Sequence, residues 1–261
     1  MLRITRRMRR RWLETGRLRR YGLTLAFELG LIVTGILLAL RVNNWNEARR
    51  DRLAETAYLE RARADLLADA TALESAAERR RTMSEGAVEL LASSPPATGA
   101  QLRHFNNLVN VVYHWFEIDP HDDTYVELLS SGRLAALRDE EIKAGLVAVA
   151  ADHAAIAATA RHMRREYEHY LYDRSAARRT MFPYADFHGL VAHDTLLFAA
   201  QPLEGNLPAL RREAAALLRD TATRNGLKLA VFGNHSLRLQ CEALARRERA
   251  LLGLIGADLR E

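Results

Sequence analysis

The feature that most constrains this chain is an apolar run over residues 23–40, whose only polar members are Thr24, Glu28 and Thr34. An α-helix rises about 1.5 Å per residue, so the run with its flanks matches the hydrocarbon core of a bilayer, about 30 Å thick. The pattern predicts a transmembrane helix over residues 22–42. We therefore expect a basic segment, residues 1–21, on one side of the lipid bilayer and a large domain, residues 43–261, on the other.

A short polar motif around a tryptophan ends the apolar run. The amides of this motif are hydrated where a helix leaves the hydrocarbon, and the ring of tryptophan favours the headgroup level. Tyr21 has the equivalent place at the other end of the run. We interpret the motif as the exit from the membrane; its residues are Asn43, Asn44, Trp45, Asn46 and Glu47.

Arginine counting predicts the orientation. The first 21 residues hold nine of the 38 basic residues and one of the 33 acidic residues, whereas the rest of the chain has 29 basic and 32 acidic ones. The positive-inside rule places the N-terminus in the cytoplasm and the domain after the span in the periplasm of a bacterial inner membrane. Because the basic charge is local to the tail before the span, we expect no nucleic-acid partner.

A cleaved signal is the alternative to an anchor, and "TRRMRRRW" resembles a twin-arginine signal or an Arg-rich presequence. A cleaved signal has a shorter apolar core and a small-x-small site after it. "LALRVNNW" offers no such site, and Glu28 is unusual in a signal core. The sequence favours an uncleaved, single-pass anchor.

Within the predicted span, the small residues Gly22, Ala26, Gly30 and Thr34 recur every four positions. Such a ladder lets helix backbones approach closely, which indicates self-association and a homo-oligomer. The alternative is that glycine and alanine are simply common in membrane helices. Glu28 is a costly intramembrane carboxylate that we interpret as an assembly contact; a neutral side chain near the inner leaflet and a proton or ion site in an oligomer remain alternatives.

The rest of the chain predicts an all-α fold, an antiparallel helical bundle with long coiled-coil-like helices. Leucines at positions 53, 59, 66 and 73 indicate that the membrane helix continues, with or without a kink at Asn43 and Asn44, to about Ser93, before the break "SSPPATG". A second helix is predicted over residues 100–117, although "VVYHWF" also suits a strand. Thr124 and Glu127 form a predicted capping box for a short helix that Gly132 closes.

Asp139 is predicted to cap a long helix that reaches about Arg174. A loop around "MFPYADFHG" follows, then a helix over residues 207–224 that ends at Asn225 and Gly226, and a last helix over residues 229–259. The inward positions of the long helix step by four and three; they are Ile142, Leu146, Val149, His153, Ile156, Ala160, Met163, Tyr167 and Tyr170.

"FELGLIVTGILLALRVNNWNE" resembles the N-terminal signature of a bacterial membrane-protein family whose domain has no assigned function. Its members carry Gly-Glu, an "IGILIAL" run and "NNWNE"; Phe27 stands where the family usually has the glycine. A second family element, "YL…DL", is matched by Tyr58, Leu59, Asp65 and Leu66. "DTYVELLSSGRLAAL" (residues 123–137) is similar to a third element, and "FGNHSL" (232–237) to a weaker "F.N.L" element. The resemblance implies a single-pass membrane protein and supplies no activity.

Chemical motifs are weak. "HWFEIDPHDD" (residues 114–123) mixes imidazole and carboxylate groups, but it lacks the spacing of known metal motifs, so we expect no metal and no cofactor there. The alternative is an enzyme that binds a divalent metal near His114 and His121, with an open coordination position for hydrolysis. His153 is expected to be a hydrogen-bonded core histidine, and no nucleophile has an identifiable base, so no catalytic residue is predicted.

The sequence predicts a non-enzymatic, membrane-anchored module for self-assembly or for binding an unknown envelope protein. The alternative is a subunit of an oligomeric ion-conducting, proton-conducting or ligand-sensing complex that uses Glu28.

Overall fold

The computed structural model describes residues 17–176 and 203–260, and helices joined by short loops, without a strand, form this part of the chain. The predicted all-α class is therefore confirmed. A 3₁₀ turn covers Arg133–Ala136, and after α4 the chain continues as a π-helix over Glu168–Tyr172 and a last helical turn over Asp173–Ala176. The α-helices are α1 (Arg17–Ala92), α2 (Gly99–Tyr113), α3 (Asp123–Ser130), α4 (Glu140–Tyr167), α5 (Leu203–Arg219) and α6 (Thr221–Asp258).

The chain divides into two compact units, Met1–Ala57 and Tyr58–Glu261. The described part of the first unit is purely helical, and α1 passes through Asn43 and Asn44 without a break. Its large apolar side chains between Tyr21 and Trp45 are all exposed. No other described element of this unit packs on α1. The length and apolar composition of the helix are therefore the features that bear on a membrane role.

Two helical segments in the described part of the chain are long and apolar enough to cross a membrane. One is Tyr21–Ala92, with a mean hydropathy of 2.2 over its most apolar stretch, none of which is buried; the other is Glu140–Tyr172, with a value of 1.3 and 28% of the stretch buried. The second segment belongs to the core of the Tyr58–Glu261 unit, where His153 and Tyr167 are buried. Burial of polar groups against other helices is typical of a core helix.

In the second unit, the leucine stripe of α1 faces the core. Leu59, Leu66 and Leu73 are buried, whereas Leu53 in the first unit is 63% exposed. The helix ends at Ala92, directly before the predicted break. The expected end near Ser93 is therefore confirmed.

Helix α2 is shorter than predicted. Thr98 and Gln101 form a capping box at its start, and the chain leaves the helix at His114, whose backbone is extended. The carbonyl of Tyr113 accepts a hydrogen bond from the hydroxyl of Tyr172 at 2.8 Å, which satisfies one acceptor at the helix end. The predicted extension to residue 117 is thus wrong, and Phe116 packs on the core from a loop.

The predicted capping box of Thr124 and Glu127 is also wrong. Thr124 lies inside α3 and is buried, and its backbone N–H donates to Oδ2 of Asp65 on α1 at 3.0 Å. The carboxylate of Glu127 instead accepts hydrogen bonds from Tyr58 (2.9 Å) and Arg61 (2.7 Å). A carboxylate from another helix replaces the local cap. Gly132 follows α3 with a φ of 72°, so its predicted role as the left-handed closing residue is confirmed.

Helices α4 and α6 run antiparallel. Asp152 pairs with Arg247 at 3.3 Å, and seven residues later the hydroxyl of Thr159 donates to Gln240 at 3.3 Å, so the numbers fall along α6 as they rise along α4. Asp139 caps α4 through bonds to the N–H groups of Glu141 and Ile142, as predicted.

The inward stripe of α4 is confirmed over most of its length. Ala160 is only partly buried. At the end of the stripe Leu171 is buried in place of Tyr170, because the π-helix there has a wider turn that shifts the inward position by one residue. The positions that are buried as predicted are Ile142, Leu146, Val149, His153, Ile156, Met163 and Tyr167.

The junction of α5 and α6 is not where the sequence placed it. The break falls at Asp220, whose carboxylate accepts hydrogen bonds from the N–H of Thr223 (2.9 Å) and from its hydroxyl (2.8 Å). Gly226 is a buried residue inside α6. A Cβ there would lie 2.7 Å from Cβ of Tyr170 and 2.8 Å from Cδ2 of Leu171, so this glycine permits close helix packing. The predicted loop around "MFPYADFHG" lies outside the described residues.

Candidate functional site

The predicted membrane-contact residues all lie on the exposed part of α1. The space around Gly22 and Gly30 is open, and the hydroxyl of Thr34 bonds the carbonyl of Gly30 at 2.7 Å. Positions two apart on an α-helix are separated by about 200°. Glu28 therefore faces away from Gly30, and the predicted contact residues fall on two faces of the helix. Ala26 belongs to the ladder face.

The membrane-exit motif, Asn43 to Glu47, is helical and exposed throughout. Trp45 exposes 66% of its surface, so most of its ring is free to contact other molecules. Among residues 17–176 and 203–260, no side-chain hydrogen bond explains the choice of asparagine at these positions.

The strongest concentration of chemical groups is in the core of the Tyr58–Glu261 unit, which we call the buried cluster: Asp69 on α1, His153 on α4 and Glu248 on α6. Their exposed fractions are 2%, 9% and 0%. Nε2 of His153 is 2.5 Å from Oδ2 of Asp69 and 3.4 Å from Oε1 of Glu248. One potential ligand atom from each residue lies within 4.8 Å of the other two. The expectation that His153 is a hydrogen-bonded core histidine is confirmed.

The cluster is electrostatically polarised. Burial alone would raise the pKa of Asp69, but the hydrogen bond and positive charge of His153, with the backbone N–H of His121, hold this pKa at about 2. Burial alone would lower the pKa of His153, but the two carboxyl groups outweigh it and raise this pKa to about 9. Burial and the nearby Asp69 raise the pKa of Glu248 to about 7, against the opposing effect of His153. Asp69 and His153 thus form an ion pair beside a carboxyl group that readily keeps its proton.

Glu248 is the unusual member of the cluster. Neither of its carboxylate oxygens has a hydrogen-bond partner among the described residues, although both are buried. The imidazole of His153 is near enough for an ionic contact but does not form a hydrogen bond with it. Buried polar groups normally form hydrogen bonds. Burying a carboxylate that forms none costs several kcal/mol.

A small cavity opens beside the cluster, with a free volume of about 20 Å³. That is room for about one water molecule or one ion. His121 stands at this cavity: its backbone N–H donates to Oδ1 of Asp69 at 3.2 Å, and its Nδ1 is 3.5 Å from the same oxygen. Besides the cluster and His121, the residues in its wall that carry polar groups are Asp65, Asp122, Thr124 and Tyr125.

The motif "HWFEIDPHDD" therefore supplies only part of the site. Its His121 and Asp122 line the cavity, whereas His114, Glu117 and Asp119 do not. Sequence analysis missed Asp69 and Glu248. A signal for both exists, since each is an acidic residue on a stripe of positions that step by three and four and are mostly apolar, apart from residues such as Arg80 and Asn234.

A second polar group in the core lies around Arg80. Its guanidinium donates to Oδ1 of Asn234 at 3.1 Å, and Nδ2 of Asn234 donates to the hydroxyl of Tyr167 at 2.8 Å. Asn234 belongs to the "FGNHSL" element of the sequence resemblance. These three residues come from α1, α6 and α4, the same three helices that supply the buried cluster.

Comparisons of the chain with protein-family models, with curated proteins and with solved structures return no match.

Proposed function

We propose that the protein is a non-enzymatic, single-pass membrane module whose helical Tyr58–Glu261 unit binds a protein partner or a second copy of the chain. The observation that carries the proposal is the run over residues 23–40 of α1, a helical stretch with its large apolar side chains exposed. Such a surface is far larger than the apolar patches of soluble monomers, whereas a bilayer accommodates it.

In this proposal α1 crosses the membrane and α4 does not. Moving α4 into lipid would strip His153 and Tyr167 of their partners on α1 and α6. An unpaired polar group in hydrocarbon costs several kcal/mol. The arginines before the span favour a cytoplasmic N-terminus and a periplasmic helical unit, and the resemblance to the "NNWNE" family supports a bacterial inner membrane.

The test is a cysteine-labelling experiment on the full chain in intact bacterial cells. The only native cysteine, Cys241, is buried and should stay unlabelled. Ser94→Cys, at an exposed position after α1, should react with a membrane-impermeant maleimide. Thr5→Cys, before the span, should react only after the cells are permeabilised.

The same cells provide the test of anchoring. The parent protein should stay in the membrane fraction after alkaline extraction, and a double variant, Leu31→Glu with Leu38→Glu, should be released. The reverse labelling pattern would reject the orientation. A parent protein that is extracted without detergent would reject the anchor itself.

A further inference from the structure

We propose that the buried cluster of Asp69, His153 and Glu248 binds one divalent transition-metal ion of the Zn²⁺ type. This inference is independent of the membrane anchor, because all three side chains belong to the Tyr58–Glu261 unit. Imidazole nitrogen and carboxylate oxygen are the common protein ligands of Zn²⁺, at about 2.0–2.2 Å. Three such groups from three helices converge here on one point of the core.

Glu248 supplies an observation beyond the mere grouping of ligands. Both of its oxygens are buried without a hydrogen-bond partner among the described residues, and its side chain lines the cavity. A cation bound there would satisfy this carboxylate. No donor in the described core does so.

Charge and space also fit an ion. With a neutral imidazole and two ionised carboxylates the cluster carries two negative charges, which a divalent cation neutralises. The cavity beside it has about 20 Å³ of free volume, enough for one ion or water molecule. His121, at 3.5 Å from Asp69 and about half exposed, stands where it can supply a fourth ligand from the solvent side.

Binding requires a small rearrangement. Two ligands of a tetrahedral Zn²⁺ ion are about 3.3 Å apart, given bond lengths of about 2.0 Å. Nε2 of His153 and Oδ2 of Asp69 are 2.5 Å apart, so the ion must separate this hydrogen-bonded pair by less than 1 Å. Because metal ligands must be deprotonated, the ion displaces the proton shared in this pair, and affinity should rise with pH.

The experiment measures metal binding by the full-length chain in detergent. After EDTA treatment and gel filtration, the protein is titrated with ZnCl₂ alone and its zinc content is measured by mass spectrometry. We expect about one tightly bound Zn²⁺ per chain and a higher melting temperature when zinc is present. A folded parent protein that retains no zinc, and whose melting temperature zinc does not raise, would overturn the proposal.

Glu248→Gln and His153→Gln should each weaken zinc binding at least tenfold. The matched controls are Glu242→Gln on α6 and His162→Gln on α4, since both residues are outside the cavity and His162 is exposed. Controls that bind like the parent support the assignment. Cluster variants that bind zinc as tightly as the parent would overturn it.

Zinc-edge X-ray absorption on the unaltered protein decides the question if the variants fail to fold. The proposed site predicts oxygen and nitrogen ligands that include one or two imidazoles and no sulfur. A sulfur ligand would assign the ion to Cys241 and overturn the proposal. Three or more imidazoles would assign it to other histidines, with the same consequence.

Discussion

The guanidinium of Arg80 donates a hydrogen bond to the side-chain oxygen of Asn234 at 3.1 Å, and neither residue exposes any surface. Arg80 also donates to the carbonyl of Phe116 at 2.9 Å and lies over the rings of Trp115 and Phe116. Burial lowers its pKa, and no carboxylate in the described part of the chain pairs with it. A buried cation is thus held by neutral dipoles and aromatic faces, which fixes α1 against α6 at one relative position.

Removing this cation should destabilise the protein strongly. Arg80→Ala creates a cavity and leaves the carbonyl of Phe116 without its donor, so we expect a loss of about 3–5 kcal/mol in the free energy of unfolding. The matched control is Arg81→Ala, because Arg81 is half exposed and its ion pairs among the described residues are with Glu78 and Glu85 on its own helix. That variant should lose less than about 1 kcal/mol. Urea unfolding of both variants in the same detergent measures the difference, and similar losses would contradict the prediction.

Two glycines of α6 should respond to alanine in opposite ways. At Gly226 a Cβ would lie 2.7 Å from Cβ of Tyr170, so Gly226→Ala should cost about 1–3 kcal/mol through overpacking. At Gly253 nothing lies within 4 Å of the added atom, so Gly253→Ala should stabilise the helix by about 0.5–1 kcal/mol. Thermal unfolding compares them. A Gly226→Ala variant as stable as the parent would show that the two helices separate at no cost.

The buried cluster predicts how stability depends on pH in chelator-treated protein. The Asp69 pKa is lowered from 3.8 to about 2, so its contribution is present above pH 3.8 and is lost as the pH falls towards 2. The His153 pKa is raised from 6.5 to about 9, so its contribution is present below pH 6.5 and is lost as the pH rises through 9. The Glu248 pKa is raised from 4.5 to about 7, so stability also falls across that interval. The half-exposed His121 faces this cluster, with its Nδ1 3.5 Å from Oδ1 of Asp69.

Stability should therefore be greatest near pH 4–5 and decline towards pH 9, as measured by melting temperature in a series of buffers. Glu248→Gln should remove the part of the decline between pH 4.5 and 7, because glutamine carries no proton to lose. Glu242→Gln, at a partly exposed position outside the cluster, should leave that part unchanged. A parent protein with maximal stability above pH 7 would be incompatible with the assigned ionisation of the cluster.

The two faces of α1 can be separated by placing one substitution on each. Gly30→Leu blocks the small-residue ladder, whereas Gly35→Leu makes the same change on the face of Glu28, seven positions further along the helix. Neither glycine has a neighbour within 4 Å, so neither change disturbs the isolated helix. If the ladder mediates self-association, Gly30→Leu should weaken it about tenfold or more, equivalent to about 1.4 kcal/mol, and Gly35→Leu should have little effect. Sedimentation equilibrium in detergent measures both; the opposite ranking would assign association to the Glu28 face.

Periodicity made much of the fold predictable. The inward positions of α4 were expected because they step regularly by four and three, and the end of α1 was expected because prolines follow it. Such signals are local to one helix. They identify which side chains point inward, but they do not show which inward side chains of different helices meet.

The wrong predictions share that physical cause. Thr124 has the right neighbours for a capping box, yet Asp65 from α1 supplies the acceptor. Gly226 follows an asparagine, as in many turns, yet it lies inside α6. Glycine is needed there because Tyr170 and Leu171 leave no room for a side chain. In both cases a partner distant in sequence decided the outcome.

Asp69 and Glu248 were not predicted as members of the buried cluster for the same reason. On α1, α4 and α6 the inward stripes are apolar except at a few positions, and Asp69, His153 and Glu248 are among these exceptions. An ionisable residue on such a stripe is a usable signal, since a polar residue at one inward position can fix the register of packed helices. Only the structure shows which positions of the three stripes face one another.

Asp69 and His153 are 84 positions apart in the chain, and Glu248 is a further 95 positions on. A ribosome must therefore synthesise α6 before the imidazole has both acidic neighbours. Until α6 emerges, the Asp69–His153 pair can form only at a surface that water still reaches. The core of this unit thus acquires its third ionisable group last, after both partners of the ion pair have been made.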